Sequence, residues 1–161
     1  MESERERYQH SGHTVVDLKY HFVWKTKYSY KVLNGDIGLR TRAIIREICA
    51  QKGMTIVRGN IRPDHIHILV SAPTYMSPAK IVQLLKGRSS YQLQRDFPEL
   101  RKRYWGQHLW SRGYFCSTVG AVTEEMIKKY IDDQDSEDAV FHVWDDSKVE
   151  EGTDGSSSVS V

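Results

Sequence analysis

Cysteine is scarce, proline rarer than one residue in forty, and long apolar runs are missing: 161 residues hold two Cys and four Pro. Cys49 and Cys116 lie singly in apolar patterns, without C-x-x-C spacing or a secretory context, which predicts free buried thiols and excludes a disulfide framework. No stretch approaches the roughly 20 apolar residues of a membrane helix. The polar start, Met1 to Arg7, lacks the apolar centre of a signal peptide. A cytoplasmic protein with no membrane partner is expected. Internal repeats are absent as well.

The remaining composition, 39% apolar and 11% aromatic, suffices for one domain with one core. Charge is uneven along it. Residues 135–161 hold eight acids against Lys148 alone, a net of −7, so with +2 for the whole chain residues 1–134 carry +9. A +9 body suits a polyanionic partner, while the acidic, Ser-rich end is too poor in apolar residues to fold. The division expected is a mobile tail over 1–12, a domain over 13–140 and a disordered acidic tail over 141–161.

Periodicity supplies the order of elements. Residues 13–27 carry apolar side chains at Val15, Leu18, Tyr20, Phe22 and Trp24, mostly at period two, and read as a long strand. Residues 37–52 read as a helix stopped by Gly53; 54–61 and 65–71 read as two strands joined at Arg62-Pro63-Asp64. Ser77 caps a helix over 78–95 that buries Ile81, Leu84 and Leu85. A strand over 108–119 bends at Gly113, and a last helix, capped by Thr123, presents Met126, Ile127, Tyr130 and Ile131. The β-α-β-β-α-β order followed by a helix predicts an α+β fold: a ferredoxin-like split β-α-β antiparallel sheet, helices on one face, plus a C-terminal helix.

Chemistry concentrates in Arg62-Pro63-Asp64-His65-Ile66-His67. Alternation along a strand turns His65 and His67 to one face and Ile66 to the other, so two imidazoles can hold one cation. A bare His-x-His is also common as two satisfied, partly exposed histidines. Here Asp64 can accept a ring N–H and fix the metal-binding tautomer, and Pro63 starts the strand at a defined place. On the last helix Met126, Tyr130 and Gln134 lie at i, i+4 and i+8, so a phenol and a carboxamide project from one side. A phenol can attack a phosphodiester if a metal withdraws charge from the non-bridging oxygens. The covalent phosphotyrosine conserves the broken bond's energy, so a free 3′-hydroxyl can later rejoin strands.

With these motifs in view, the chain resembles the single-tyrosine HUH (His-hydrophobic-His) transposases of small bacterial and archaeal insertion sequences. The likeness spans roughly residues 13–134: Tyr20 to Trp24 with Lys27-Tyr28, Arg62 to His67, Leu85 to Ser90, Leu109 to Phe115, and Lys129 to Gln134. It implies a DNA transposase in which Tyr130 is the catalytic nucleophile on single-stranded DNA with hairpin ends. It further implies that His65, His67 and Gln134 ligate Mg²⁺ or Mn²⁺, of which imidazole suits Mn²⁺ somewhat better. Members are dimers in which the tyrosine helix of one subunit serves the histidines of the other, and a helix following Gly120 could swing.

DNA contacts are expected from Lys86, Arg88, Ser89 and Ser90 on one helix turn, and from Arg101 and Arg103 in a basic loop interleaved with Tyr104 and Trp105. His21 and His108 lie in strand patterns and read as structural. A second class stays open. If Tyr20, Phe22 and Trp24 were exposed on the sheet, the chain would resemble a non-cleaving single-stranded nucleic-acid-binding module, and a domesticated transposase would likewise bind without cutting.

Overall fold

The structure is a computed structural model that describes residues 9–11 and 14–133, with side chains from Val16 onward. Strand β3 (Lys19–Lys25) sets its organisation, because alternation separates two surfaces of different chemistry. Tyr20, Phe22 and Trp24 point one way and are buried; Lys19, His21, Val23 and Lys25 point the other. β3 pairs antiparallel with β5 (His65–Ser71) on one side and β6 (Phe115–Val119) on the other, and β4 (Thr55–Ile61) extends the sheet beyond β5. The order β4-β5-β3-β6 with every pair antiparallel is the ferredoxin-like arrangement expected. Ahead of it, β1 (Gln9–Ser11) and β2 (Thr14–Val16) form a small hairpin that spans the boundary drawn between tail and domain.

Helices α1 (Gly35–Gln51) and α2 (Pro78–Asp96) cover the aromatic face. Ile44, Ile45 and Ile48 of α1, and Ile81, Leu85 and Leu93 of α2, meet Phe22, Trp24, Ile66 and Ile68 in the core. Each such fully buried aliphatic or Phe side chain contributes about 1.5–3 kcal/mol. Ser77 caps α2 by accepting the Lys80 N–H, and Gly53 ends α1 at φ +68°, where an L side chain would be strained. Because the rings of β3 lie beneath α1 and α2, the base-stacking sheet of an RNA-recognition module is overturned: Phe22 is 0% and Trp24 2% exposed.

Three stretches differ from expectation. The strand predicted over 108–119 is regular only from Phe115; before it the chain turns at Gly113 (φ +80°) and touches the sheet through one bridge, Trp110 to Thr26. Residues 98–103, expected as a loop, form the short helix α3 (Pro98–Arg103), seated by buried Leu100. The last helix, α4 (Ala121–Asp133), is capped one turn earlier than expected. Gly120 precedes it, and Thr123, inside the first turn, accepts the Gly120 N–H through its hydroxyl. α4 lies on the face opposite α1 and α2, with Ile131 against Val57, Leu69 and Val119. Among the described residues no helix is long and apolar enough to cross a membrane.

Candidate active site

The face of the sheet that α4 only partly covers gathers the chemistry. Register places Val23 opposite His67 and Lys25 opposite His65, with Asn60 opposite His67 on its other side. The His65 and His67 rings lie 4.9 Å apart between centroids, edge to face. Asp64 accepts from His65 Nδ1 at 2.6 Å, which leaves the Nε2 lone pair of His65 available to a cation. Asp64 is itself held from behind, its carbonyl accepting the Thr26 N–H at 2.9 Å.

Tyr130 arrives from α4. Its ring centroid is 5.5 Å from His67 and 5.9 Å from His21, and the residue is 48% exposed. The sequence reading treated His21 as structural. The fold brings it into the cluster, stacked on His67 at 5.8 Å and 19° and edge-on to Phe115. Period-two alternation from Trp24 back to Tyr20 would have shown that His21 shares the outward face, but not which strand lies beside it.

Burial disfavours the charged form of His67 and His21. His67 is pushed down to about 3, first by desolvation and then by the neighbouring His65, His21 and Arg62. Desolvation lowers His21 as well. A neutral imidazole is the metal-binding form. His67 Nδ1 and His21 Nε2 are buried without a hydrogen-bond partner among the described residues, so the pocket holds polar atoms that the protein leaves unanswered. Among these residues no three His, Cys, Asp or Glu side chains converge on one point. The donor set is therefore a histidine pair, which fits a divalent ion that takes further ligands elsewhere. Gln134, expected to be one of them, lies outside the described residues.

α4 is fixed on the sheet by polar as well as apolar contacts. Lys19, buried, bridges Asp17 at 3.0 Å and Glu124 at 3.2 Å. Arg58 meets Asp132 at 3.4 Å. Asn60 donates from Nδ2 to the Ile131 carbonyl at 3.4 Å, tying the residue after Tyr130 to the residue opposite His67. Sequence reasoning missed the Asn60–Ile131 and Lys19–Glu124 contacts, which span more than 70 positions and leave no local signal.

A cleft of about 410 Å³ opens beside His65, lined by Lys31, Asn34, Arg62, Pro63 and Asp64. A larger one, between α1 and β4, contains none of the site residues. The predicted DNA-contact residues separate into two groups. Lys86 donates to the carbonyls of Ser111 and Gly113, both at 2.9 Å; Ser89 accepts from Trp110 Nε1 at 2.9 Å; and Ser90 accepts the Leu109 N–H at 3.2 Å. These three hold the 109–113 turn, so of the four predicted contact residues on that helix Arg88 alone is exposed. Arg101 and Arg103, on α3, are exposed.

Comparison with known proteins gives the chain its family. The profile of the family described as "Transposase IS200 like" matches residues 14–134. The ISDra2 transposase TnpA of Deinococcus radiodurans is 36% identical over 120 residues, covering 74% of this chain and 86% of that protein. The transposase for insertion sequence element IS200 of Salmonella typhimurium is 36% identical over 127 residues, covering 79% and 83%. A crystal structure of a transposase candidate from D. radiodurans R1 superposes with TM-score 0.65 at 32% identity over 78% of this chain and 97% of that one. A REP-associated tyrosine transposase bound to a REP hairpin shares the fold at TM-score 0.58, with 11% identity over 92% and 95%. With matches across most of its length to proteins that move insertion sequences, this chain belongs to the IS200-like transposase family.

Proposed function

We propose that this transposase cleaves and rejoins single-stranded DNA at insertion-sequence ends through a covalent 5′-phosphotyrosine on Tyr130. The observation that carries the reading is the Tyr130 ring 5.5 Å from His67, whose pair with His65 is aimed at the same open face. His65 and His67, with Gln134, would hold Mg²⁺ or Mn²⁺, which when bound draws charge from the non-bridging phosphate oxygens. Tyr130 Oη attacks phosphorus in line, the bond from phosphorus to the 3′-oxygen breaks, and that oxygen leaves as a hydroxyl after taking up a proton. The 5′ end stays on Tyr130. In the return step a free 3′-hydroxyl attacks the same phosphorus and the phenol departs, so one phosphoester is made for each one broken and no nucleotide cofactor is consumed.

Asp64 orients His65, and burial keeps His67 unprotonated near neutrality, so both ligands are ready without a proton-release step at His67. The DNA proposed carries hairpin ends, in keeping with the REP hairpin held by the fold neighbour. A homodimer also belongs to the proposal. The family resemblance implies exchange of tyrosine helices between subunits, whereas in the conformation described α4 reaches its own chain's histidines. Mixing His67→Ala protein with Tyr130→Phe protein restores an adduct if helices are exchanged and does not if each serves its own chain.

The deciding experiment incubates the protein with a labelled single strand from an insertion-sequence end and Mn²⁺, then separates it under denaturing conditions. A labelled protein adduct is expected, absent in Tyr130→Phe. Cleavage without an adduct, tolerant of the phenylalanine, would mean activated water is the nucleophile; binding alone would mean a non-cleaving module.

A further inference from the structure

Three non-glycine residues among those described have positive φ: Tyr28 (+62°), Ser29 (+53°) and Trp105 (+55°). Such conformations are strained for bulky L residues and persist where the surrounding structure imposes them. Tyr28 belongs to a ladder of rings, and Trp105 follows the last member of that ladder in the chain. Tyr28 packs on Tyr30 at 5.3 Å, Tyr30 on Tyr104 at 5.6 Å, and Tyr104 directly precedes Trp105. The cations Lys27 and Arg103 lie over this ladder, 5.3 Å from the Tyr28 ring and 4.1 Å from the Tyr30 ring. The base of the ladder is firm: Tyr104 is buried and its hydroxyl donates to the Lys27 carbonyl. The outer rings are in solvent, Tyr28 67% and Trp105 89% exposed.

The turn carrying Tyr28 is also coupled to the active site. The Thr26 hydroxyl donates to the Tyr30 carbonyl at 2.7 Å, and its N–H donates to the carbonyl of Asp64, the residue that orients His65. An aromatic platform rimmed by cations offers a π face to a base and charge to its phosphate. We infer that the Lys27, Tyr28, Tyr30 and Arg103 platform, with Trp105 at its margin, binds unpaired nucleotides of the DNA strand by base stacking. The inference rests on the single-stranded-DNA reading above and extends it to where the strand lies outside the histidine pocket.

The test measures binding apart from chemistry. Full-length protein is titrated in EDTA into three fluorescein-labelled 20-mers: oligo-dT, the same backbone with abasic sites, and a duplex. The platform predicts oligo-dT bound more tightly than either of the others. Tyr28→Ala and Trp105→Ala should each weaken oligo-dT binding at least about fivefold. They should leave abasic binding nearly unchanged, and Trp105→Phe should restore most of the loss. Equal loss on oligo-dT and abasic DNA, no loss at all, or preference for duplex would overturn it. Circular dichroism melts matching the parent confirm that the exposed substitutions leave the fold intact. Adduct formation separates the two proposals. Wild-type binding through the platform with no tyrosine adduct rejects the cleavage reading alone; an adduct with unchanged binding in both variants rejects the platform alone.

Discussion

His67 illustrates how burial at one residue serves function at a cost in acid. Its folded-state value of about 3 lies below the 6.5 of an exposed histidine, so between those values the unfolded chain takes up a proton that the folded chain refuses. Stability therefore falls as pH drops through that window, and desolvated His21 acts in the same direction. Melting temperature in EDTA should decline from pH 6.5 toward 4, and His67→Gln should flatten the decline; a flat parent profile would contradict the burial argument. Asp64→Ala removes the acceptor that sets the His65 tautomer, so Mn²⁺ affinity should drop about 10–100-fold by calorimetry while the fold persists. For His21, whose ring stacks on His67, we expect His21→Ala to slow adduct formation more than His21→Phe, which keeps a flat ring. Equal effects would indicate a requirement for its nitrogens instead.

At the scale of elements, α4 depends on contacts that are few and distant in sequence. Lys19→Ala leaves Glu124, 8% exposed, without its nearest cation, although Lys128 remains 3.8 Å away. The cost should approach about 3 kcal/mol, the low end for an orphaned buried charge. Hydrogen exchange should show protection lost across 121–133 before the central strands. Ser89→Ala strands the buried Trp110 indole N–H and should cost about 1–3 kcal/mol in urea unfolding. These contacts mark where sequence reading stopped. Tyr20, Phe22 and Trp24 showed their period plainly, as did the helix stop at Gly53 and the cap at Ser77, because each signal is local. Lys86, Ser89 and Ser90 did not, since a polar turn looks the same whether it faces phosphate or a neighbouring turn's carbonyls. Thr123 was misplaced by three residues because a hydroxyl reaching back to Gly120 resembles a cap in sequence.

The molecule is a sheet with an apolar side, aromatic and aliphatic, under α1 and α2 and a polar side shared by α4 and the histidine pair. Residues 1–134 carry +9, so single-strand affinity should fall linearly with log salt concentration, with a slope reporting several phosphate contacts. A flat response would remove the basic body as the binding surface. One irregularity governs how that polar side is populated. Between Ile56 and Arg58 the register of β4 slips by one, so Val57 and Arg58 both face α4. Were that bulge straightened into regular alternation with no residue lost, every later side chain of β4 would exchange sides. Gly59 would then stand next to the reactive helix with nothing to offer, and the Asn60 carboxamide would be thrust among isoleucines. The extra residue in this short edge strand thus acts as a counting device, which from far away in sequence keeps the Asn60 carboxamide on the side of the helix that carries Tyr130.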